Sequence, residues 1–409
     1  MEQGVSVAPV FSPPSVRSMS ATFELVSPMF MAGAMNDRGA QAELRPTAIK
    51  GALRFWWRAL NWARVRAQHE ENNSALVQLH AEESVLFGAA HKEKATPPRG
   101  ASRVSIQLKS KDLKQLPDNH SLSTGLQYLA GQGLCTVKKA TTPSRLLRRA
   151  WQPGGRFQLS IQGHRAITDA QWQQLNQAVE AFGLLGCLGS KARNGFGSVA
   201  LVDVKGAAFD IPATVQAYQS AVRQLFASAA SVTGLPPYTA LSACSRVDIS
   251  LAKRGQGLLN QVGDMQRAFR SSLSKEQHPD ASRDHDGVKD VALRKLTDYQ
   301  PQRSAFGLPH NYFFRSLDNK SVPYNVCIDG TSARRASPLF IHQHRIGDQQ
   351  LIIQMLLPAV FLPGGASMHL GNARFGFRPE DLNWPLLHNW LDRFENRVPV
   401  VEAQEVPNG

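Results

Sequence analysis

The stretch Arg45-Pro46-Thr47-Ala48-Ile49-Lys50-Gly51-Ala52-Leu53-Arg54-Phe55-Trp56-Trp57-Arg58-Ala59-Leu60, with its continuation to Arg66, constrains the fold more than any other part of the chain. At about 3.6 residues per turn, Ile49, Leu53, Trp56, Leu60 and Ala63 fall on one stripe, and Lys50, Arg54, Trp57, Arg58 and Asn61 fall on its neighbour. The spacing predicts a helix with one buried and one cationic face. No Asp or Glu occurs between Glu43 and Glu70, so no carboxylate close in sequence neutralises Arg45, Lys50, Arg54, Arg58, Arg64 or Arg66. A solvated helix face ordinarily mixes signs. Thr47, after Pro46, is the expected N-cap, and the first turn would then offer free N–H groups beside Lys50, which suits a phosphate. The competing reading is an ordinary basic surface helix at the edge of a tryptophan-rich core.

The length of 409 residues allows two or three domains, and 42% hydrophobic residues with 7 Trp and 19 Phe mark a globular chain. A formal net charge of +14 favours a polyanionic partner, nucleic acid before a membrane surface. Pro9, Pro13 and Pro14 interrupt the start, so no signal peptide is expected, and no run is long enough to span a bilayer. Cys135, Cys187, Cys244 and Cys327 are far apart without CxxC spacing, which argues against zinc and against a disulfide framework, and fits a cytoplasmic location.

Along the chain, strands are expected at 22–26, 103–108, 155–161 and 198–204, with the basic helix after the first and a helix over Asp169–Leu185 before the last. Residues 82–87 also read as helical. The order is β-α-β-β-α-β with a long insertion at about 110–155, an order used by RNA-recognition modules. Residues 206–241 read as a connector with a short helix. A second set follows: strand 246–251, helix 258–269, strands in 311–314, 338–342 and 351–357 with a turn at Gly347-Asp348, helix 379–394 and a weak last strand at 398–401. The fold class is therefore α+β, with two ferredoxin-like (RRM-like) domains over 20–205 and 242–402. The charged run 274–290 reads as a mobile loop.

The glycine-rich stretch Gly183 to Gly197 leaves a helix and enters a strand, so it is neither a P-loop nor a dinucleotide fingerprint. It offers backbone that a ligand can approach, with Lys191, Arg193 and Asn194 at its tip. A helix C-cap and tight turn would need fewer glycines. Between Asp118 and Asp169 no acidic residue occurs, while Lys138, Lys139, Arg145, Arg148, Arg149, Arg156 and Arg165 are present with Tyr128 and Trp151 interleaved. That mixture suits single-stranded RNA, although either aromatic can equally anchor a core. His278, Asp280, Asp284, His285 and Asp286 carry metal-ligand chemistry without regular spacing, and a solvated loop is the better reading. Asp37 is an isolated carboxylate near the basic helix, either an acid–base group or a turn residue. No nucleophile elbow or HExxH occurs.

Taken together, Phe30 to Gly33 with Arg45 to Arg58, the loop Gly186 to Gly197, Ala305-Phe306-Gly307-Leu308-Pro309 and Arg335-Ala336-Ser337-Pro338-Leu339 resemble the RAMP superfamily. Within it they resemble the first Cmr subunit of type III-B CRISPR RNA-guided effector complexes, over about 22–365. The resemblance implies two ferredoxin-like domains and a place at the end of a ribonucleoprotein complex distal to the guide's 5′ tag. There the chain would help hold the 3′ part of the guide RNA with its target RNA, beside other Cmr subunits, in antiviral defence. Catalysis would belong to other subunits, and no cofactor or metal is implied. RNA binding is carried onto Arg45, Lys50, Arg54, Trp57, Arg58, Lys191, Arg193 and Asn194. A metal-independent endoribonuclease of the same superfamily is the alternative, with a histidine or Asp37 assisting attack of a 2′-hydroxyl; His69 and His80 lie at or beyond the far end of the first helix and give it little help. A protein–protein scaffold is a third reading.

Overall fold

The computed structural model describes residues 16–31, 42–90, 100–117, 119–131, 133–136, 144–251, 257–270, 279–318 and 320–404. In strand β1 (Ser18–Leu25), Met19, Ala21, Phe23 and Leu25 alternate inward and are buried. There follow helices α1 (Pro46–Arg66) and α2 (Asn72–Phe87), strand β2 (Val104–Lys111), helix α3 (Thr124–Ala130), strand β3 (Arg156–Gly163), helix α4 (Asp169–Leu185) and strand β4 (Val199–Lys205). The strands form one antiparallel sheet in the order β2-β3-β1-β4. Helix α4 begins on a capping box between Thr168 and Gln171. Helix α1 starts at Pro46 itself, which has no N–H to leave unmet. Arg45 holds the cap position without a side-chain bond, so Thr47 is not the N-cap but an exposed first-turn residue.

Helix α5 (Val215–Phe226) occupies the connector. The second half contains β5 (Arg246–Leu251), α6 (Leu258–Phe269), α7 (Pro279–Ala292), β6 (His310–Phe314), β7 (Lys320–Ile328), β8 (Thr331–Ala333), β9 (Leu339–Ile346), β10 (Gln349–Leu356), β11 (Ser367–Leu370), β12 (Ala373–Gly376), α8 (Trp384–Asp392) and β13 (Arg397–Val401). Its main sheet runs β13-β5-β10-β9, so in both four-stranded sheets the first strand lies between the last and the third. A further sheet, β12-β11-β7-β6 with β8 on β7, was not foreseen. Of its strands only β6 was expected, at 311–314; the others gave little signal, since β7 contains Pro323, and β11 and β12 have four residues each. The expected loop at 274–290 is a helix from 279 onward, because Asp284 and Val288 are fully buried and His285 lies against the Phe314 ring at 4.4 Å. The expected helix at 379–394 is shorter, a 3₁₀ turn at Pro379–Asp381 and then α8, whose first turn is capped by Asn383.

The main sheet of the second half is buried on both faces. Val247, Ile249, Leu351, Ile353 and Met355 join the core of β1, α1 and α4, while Ile352 and Leu356 join a second core with α6, α8 and β7. That double burial explains the continuous apolar run 351–353 and 355–357, where a half-exposed strand would alternate. Among the described residues, no helix is long and apolar enough to cross a membrane.

Candidate nucleic-acid interface

Helix α1 lies beside α2, and this pairing changes its charge. Arg54 Nε and Arg58 Nη1 donate to the buried Glu83 carboxylate at 2.6 and 2.7 Å, and Arg64 pairs with Glu82. The cationic stripe is therefore free of acid in sequence and not in space. Trp57 is 1% exposed and packs edge-on against Phe87, so it has no ring face for a base. Its place in the core corrects the expectation drawn from the helical stripe. Asn61 is buried and donates to the Trp57 carbonyl. Lys50 is half-buried, with its ammonium held below the ordinary range first by burial and then by Arg54. Arg45 is half-buried too, and its Nε has no partner. Because Glu83 holds two arginines that are each about one-third exposed, Glu83→Gln should cost about 1–2 kcal/mol, less than a fully buried ion pair. Thermal unfolding of the purified variant measures this, and an unchanged midpoint would show that water already screens the pair.

In the glycine-rich loop the glycines answer to protein neighbours and not to a ligand. A Cβ on Gly189 would lie 2.3 Å from the Phe30 carbonyl oxygen, and one on Gly197 would lie 1.9 Å from that of Leu188; both residues have left-handed backbones. Arg193 donates from Nη1 to the Ser337 carbonyl, reaches Thr239 Oγ1 at 3.5 Å and lies over the Phe340 ring at 4.4 Å. Burial, with Arg335 nearby, brings its guanidinium down to about 10. Asn194 Nδ2 donates to the Leu129 carbonyl at 2.8 Å, and the Arg193 carbonyl accepts from Ile341 N–H at 2.9 Å. Both residues fasten the loop to its surroundings. Lys191, with φ 59°, has its ammonium lowered by burial first and then by Arg270 and Arg334.

The two motifs of the second half meet this loop. Leu308 and Arg335 exchange backbone hydrogen bonds at 2.7 and 3.1 Å, tying 305–309 to 335–338, and Ser337 is held by Arg193. Helix α1 reaches the same seam through Phe55, whose ring lies 5.9 Å from that of Phe340. The seam collects Lys191, Arg193, Arg270, Arg334 and Arg335, and among the described residues none of them pairs with a carboxylate. The sequence reading missed Arg270, Arg334 and Arg335 as site residues. The adjacent Arg334-Arg335 was a visible signal; Arg270 carried none, since only the tertiary fold brings it to Lys191.

The insertion contributes less than its charge suggested. Trp151 is bridged through its backbone to Met29 and Gln115, Arg156 pairs with Glu24, and Tyr128 is half-buried. Lys138, Lys139, Asp37 and His278 lie outside the described residues. The outward face of the first sheet carries Ser18, Ser20, Thr22 and Glu24 on β1, Ser105, Gln107, Lys109 and Lys111 on β2, and Arg156, Gln158, Ser160 and Gln162 on β3. None is aromatic, so these strands offer no base-stacking platform. Asp284 is tied to Arg303, and among the described residues no group of three His, Cys, Asp or Glu is placed to hold a metal ion.

Residues 22–200 match the family model of the RAMP superfamily. This span belongs to the RAMP superfamily. Among solved structures, Cmr1 from Pyrococcus furiosus in its apo form is similar over 94% of this chain and 98% of its own, with 16% identity and a TM-score of 0.56. A chain of the type III-B Cmr-beta complex bound to cognate target RNA aligns over 93% of this chain and 99% of its own, with 11% identity and a TM-score of 0.48. No curated protein matches. The RAMP match ends just inside β4, and the likeness to the Cmr1 fold continues through the second half.

Proposed function

We propose that this chain is a non-catalytic RNA-binding subunit of a type III-B CRISPR effector complex, built on two ferredoxin-like units (20–205 and 242–402) joined by the connector 206–241. It caps the complex, holds the 3′ part of the guide RNA with its target RNA, and touches other Cmr subunits. The observation that carries this reading is the seam of five cations without a carboxylate partner among the described residues, at the place where the glycine-rich loop meets the two motifs of the second half. Repelling cations, partly desolvated, are stabilised by an arriving polyanion. Membership of the RAMP superfamily over 22–200 and the fold shared with Cmr1 are consistent with it. RNA contacts are assigned to Arg45, Lys50, Lys191, Arg270 and Arg334. Arg54 and Arg58 keep partial exposure but share Glu83, and Arg193 and Asn194 act by holding the loop. Phosphate contacts of this kind read position and not sequence, which base pairing supplies.

Binding of a labelled single-stranded RNA of guide length over a salt series tests this reading, for wild type and for Lys191→Glu/Arg334→Glu. Each lost phosphate contact flattens the log–log slope by about 0.7, so the double variant should lose at least about one unit of slope, with intact RNA on a denaturing gel. An unchanged slope would turn the seam into a surface for an acidic protein. Cleavage that survives a chelator would put the endoribonuclease reading first.

A further inference from the structure

Three arginines of the seam lie over aromatic rings. Arg193 covers Phe340 at 4.4 Å, Arg270 covers Phe306 at 5.0 Å and Arg335 covers Phe361 at 5.4 Å. Phe306 and Phe361 are themselves 6% and 5% exposed, so the rings cannot meet a ligand directly. The arginines are half-buried, so part of each remains at the surface. At two other stacks the arginine is locked by a carboxylate: Arg303 over Tyr312 is paired with Asp284, and Arg378 over Phe375 with Asp298 and Asp381. At Arg270 and Arg335 no carboxylate is present among the described residues, and the Nε atom of each is buried without a partner. Arg193 is also tied to Ser337 and Thr239; Arg270 bonds His310 at 3.1 Å, and Arg335 is anchored through its backbone to Leu308.

A guanidinium is planar by its own bonding, and one that rests over a ring is supported from below. Its upper face suits a nucleobase, which stacks on an arginine plane as it does on an aromatic ring. We propose that Arg270 and Arg335 are stacking platforms for unpaired bases of single-stranded RNA, with Lys191 and Arg334 neutralising the phosphates between them. This rests on the RNA-binding reading above and adds the state of the RNA at the seam: the bases over Arg270 and Arg335 are unpaired and lie outside any guide–target duplex, since a duplex presents no free base face. It also supplies what the buried Trp57 and the aromatic-free outward positions of β1 to β3 do not.

The test compares Arg270→Lys/Arg335→Lys with wild type on single-stranded RNA, on the same RNA with abasic positions, and on duplex RNA. Lysine keeps the charge and loses the plane, so affinity for single-stranded RNA should fall at least tenfold while the salt slope is retained. Abasic substitution should bring wild type down by a similar factor and leave the double variant unaffected, and duplex RNA should bind both equally. Equal affinity of the lysine variant and wild type, with a normal salt slope, would overturn the platforms and leave the RNA-binding reading standing. No RNA binding by wild type would end both. Should the double variant not fold, the abasic series on wild type decides alone: no loss of affinity there rejects the proposal.

Discussion

Asp284→Ala should destabilise the protein by about 3–5 kcal/mol, the cost of stripping a buried cation of its counter-charge. Asp284 is 0% exposed and accepts four interactions: Gln302 N–H at 2.7 Å, Arg303 N–H at 2.8 Å, Arg303 Nε at 3.1 Å and Tyr299 Oη at 3.2 Å. Alanine leaves these four donors without their acceptor and a guanidinium 13% exposed with no counter-charge, held only by the Arg270 carbonyl and the Tyr312 ring. Burial raises the Asp284 carboxyl above its ordinary range, while Arg303 and the two backbone N–H groups pull it back. Asp284→Asn should cost less, since its carbonyl can still accept from the backbone. The midpoint of urea unfolding measures both, and a shift in Asp284→Ala no larger than that of an exposed substitution would mean that water replaces the carboxylate. Residues 302–303 lead directly into 305–309, which Arg335 joins, so RNA affinity should fall along with stability.

Gly263→Val is expected to undock the insertion from the second half. A Cβ on Gly263 would lie 2.1 Å from the Gly125 carbonyl oxygen, and one on Gly125 would lie 1.9 Å from that of Asn260. Helices α3 and α6 thus cross backbone to backbone, and only glycine fits at either position. Asn260 completes the joint: its Oδ1 accepts from Gly125 N–H at 2.9 Å and Leu126 N–H at 3.3 Å, capping α3 from the other half of the molecule. Overpacking a core costs about 1–3 kcal/mol, and backbone yields less readily than a side chain, so the upper end is expected here. Hydrogen exchange should quicken over 124–130, and the loosened Leu129 carbonyl should release Asn194 and the loop that carries Lys191. Unaltered protection of α3 would show that the helices can slide apart without loss. Gly51→Ala in α1 is the control: a Cβ there meets nothing within 4 Å, and alanine should add about 0.5–1 kcal/mol of stability.

Local pattern was enough wherever the element made its own case. Helix α4 at Asp169–Leu185, strand β5 at Arg246–Leu251 and helix α6 at Leu258–Phe269 have the bounds read from periodicity, because each carries its apolar face in one unbroken register. The motifs were legible as well: the glycine-rich loop stood out as a chemistry-bearing stretch, Ala305 to Pro309 and Arg335 to Leu339 as motifs of the resemblance, and they meet in space. What each residue does there was not local information. Whether an arginine faces solvent or a carboxylate depends on a residue far away in the chain, as Glu83 shows for Arg54 and Arg58, |i−j| of 29 and 25 residues. Helical stripes place Trp57 beside the cations, and the packing of α2 decides that it is core. The charged segment at 279–292 became a helix because a buried Asp284 satisfies backbone donors elsewhere. Sequence by itself determined the strongly periodic elements, their order and the excess of positive charge; the tertiary structure decided the short strands of the further sheet, the helix at 279–292 and which of those charges are already neutralised, because ion pairing and burial act through distances that only the folded chain defines.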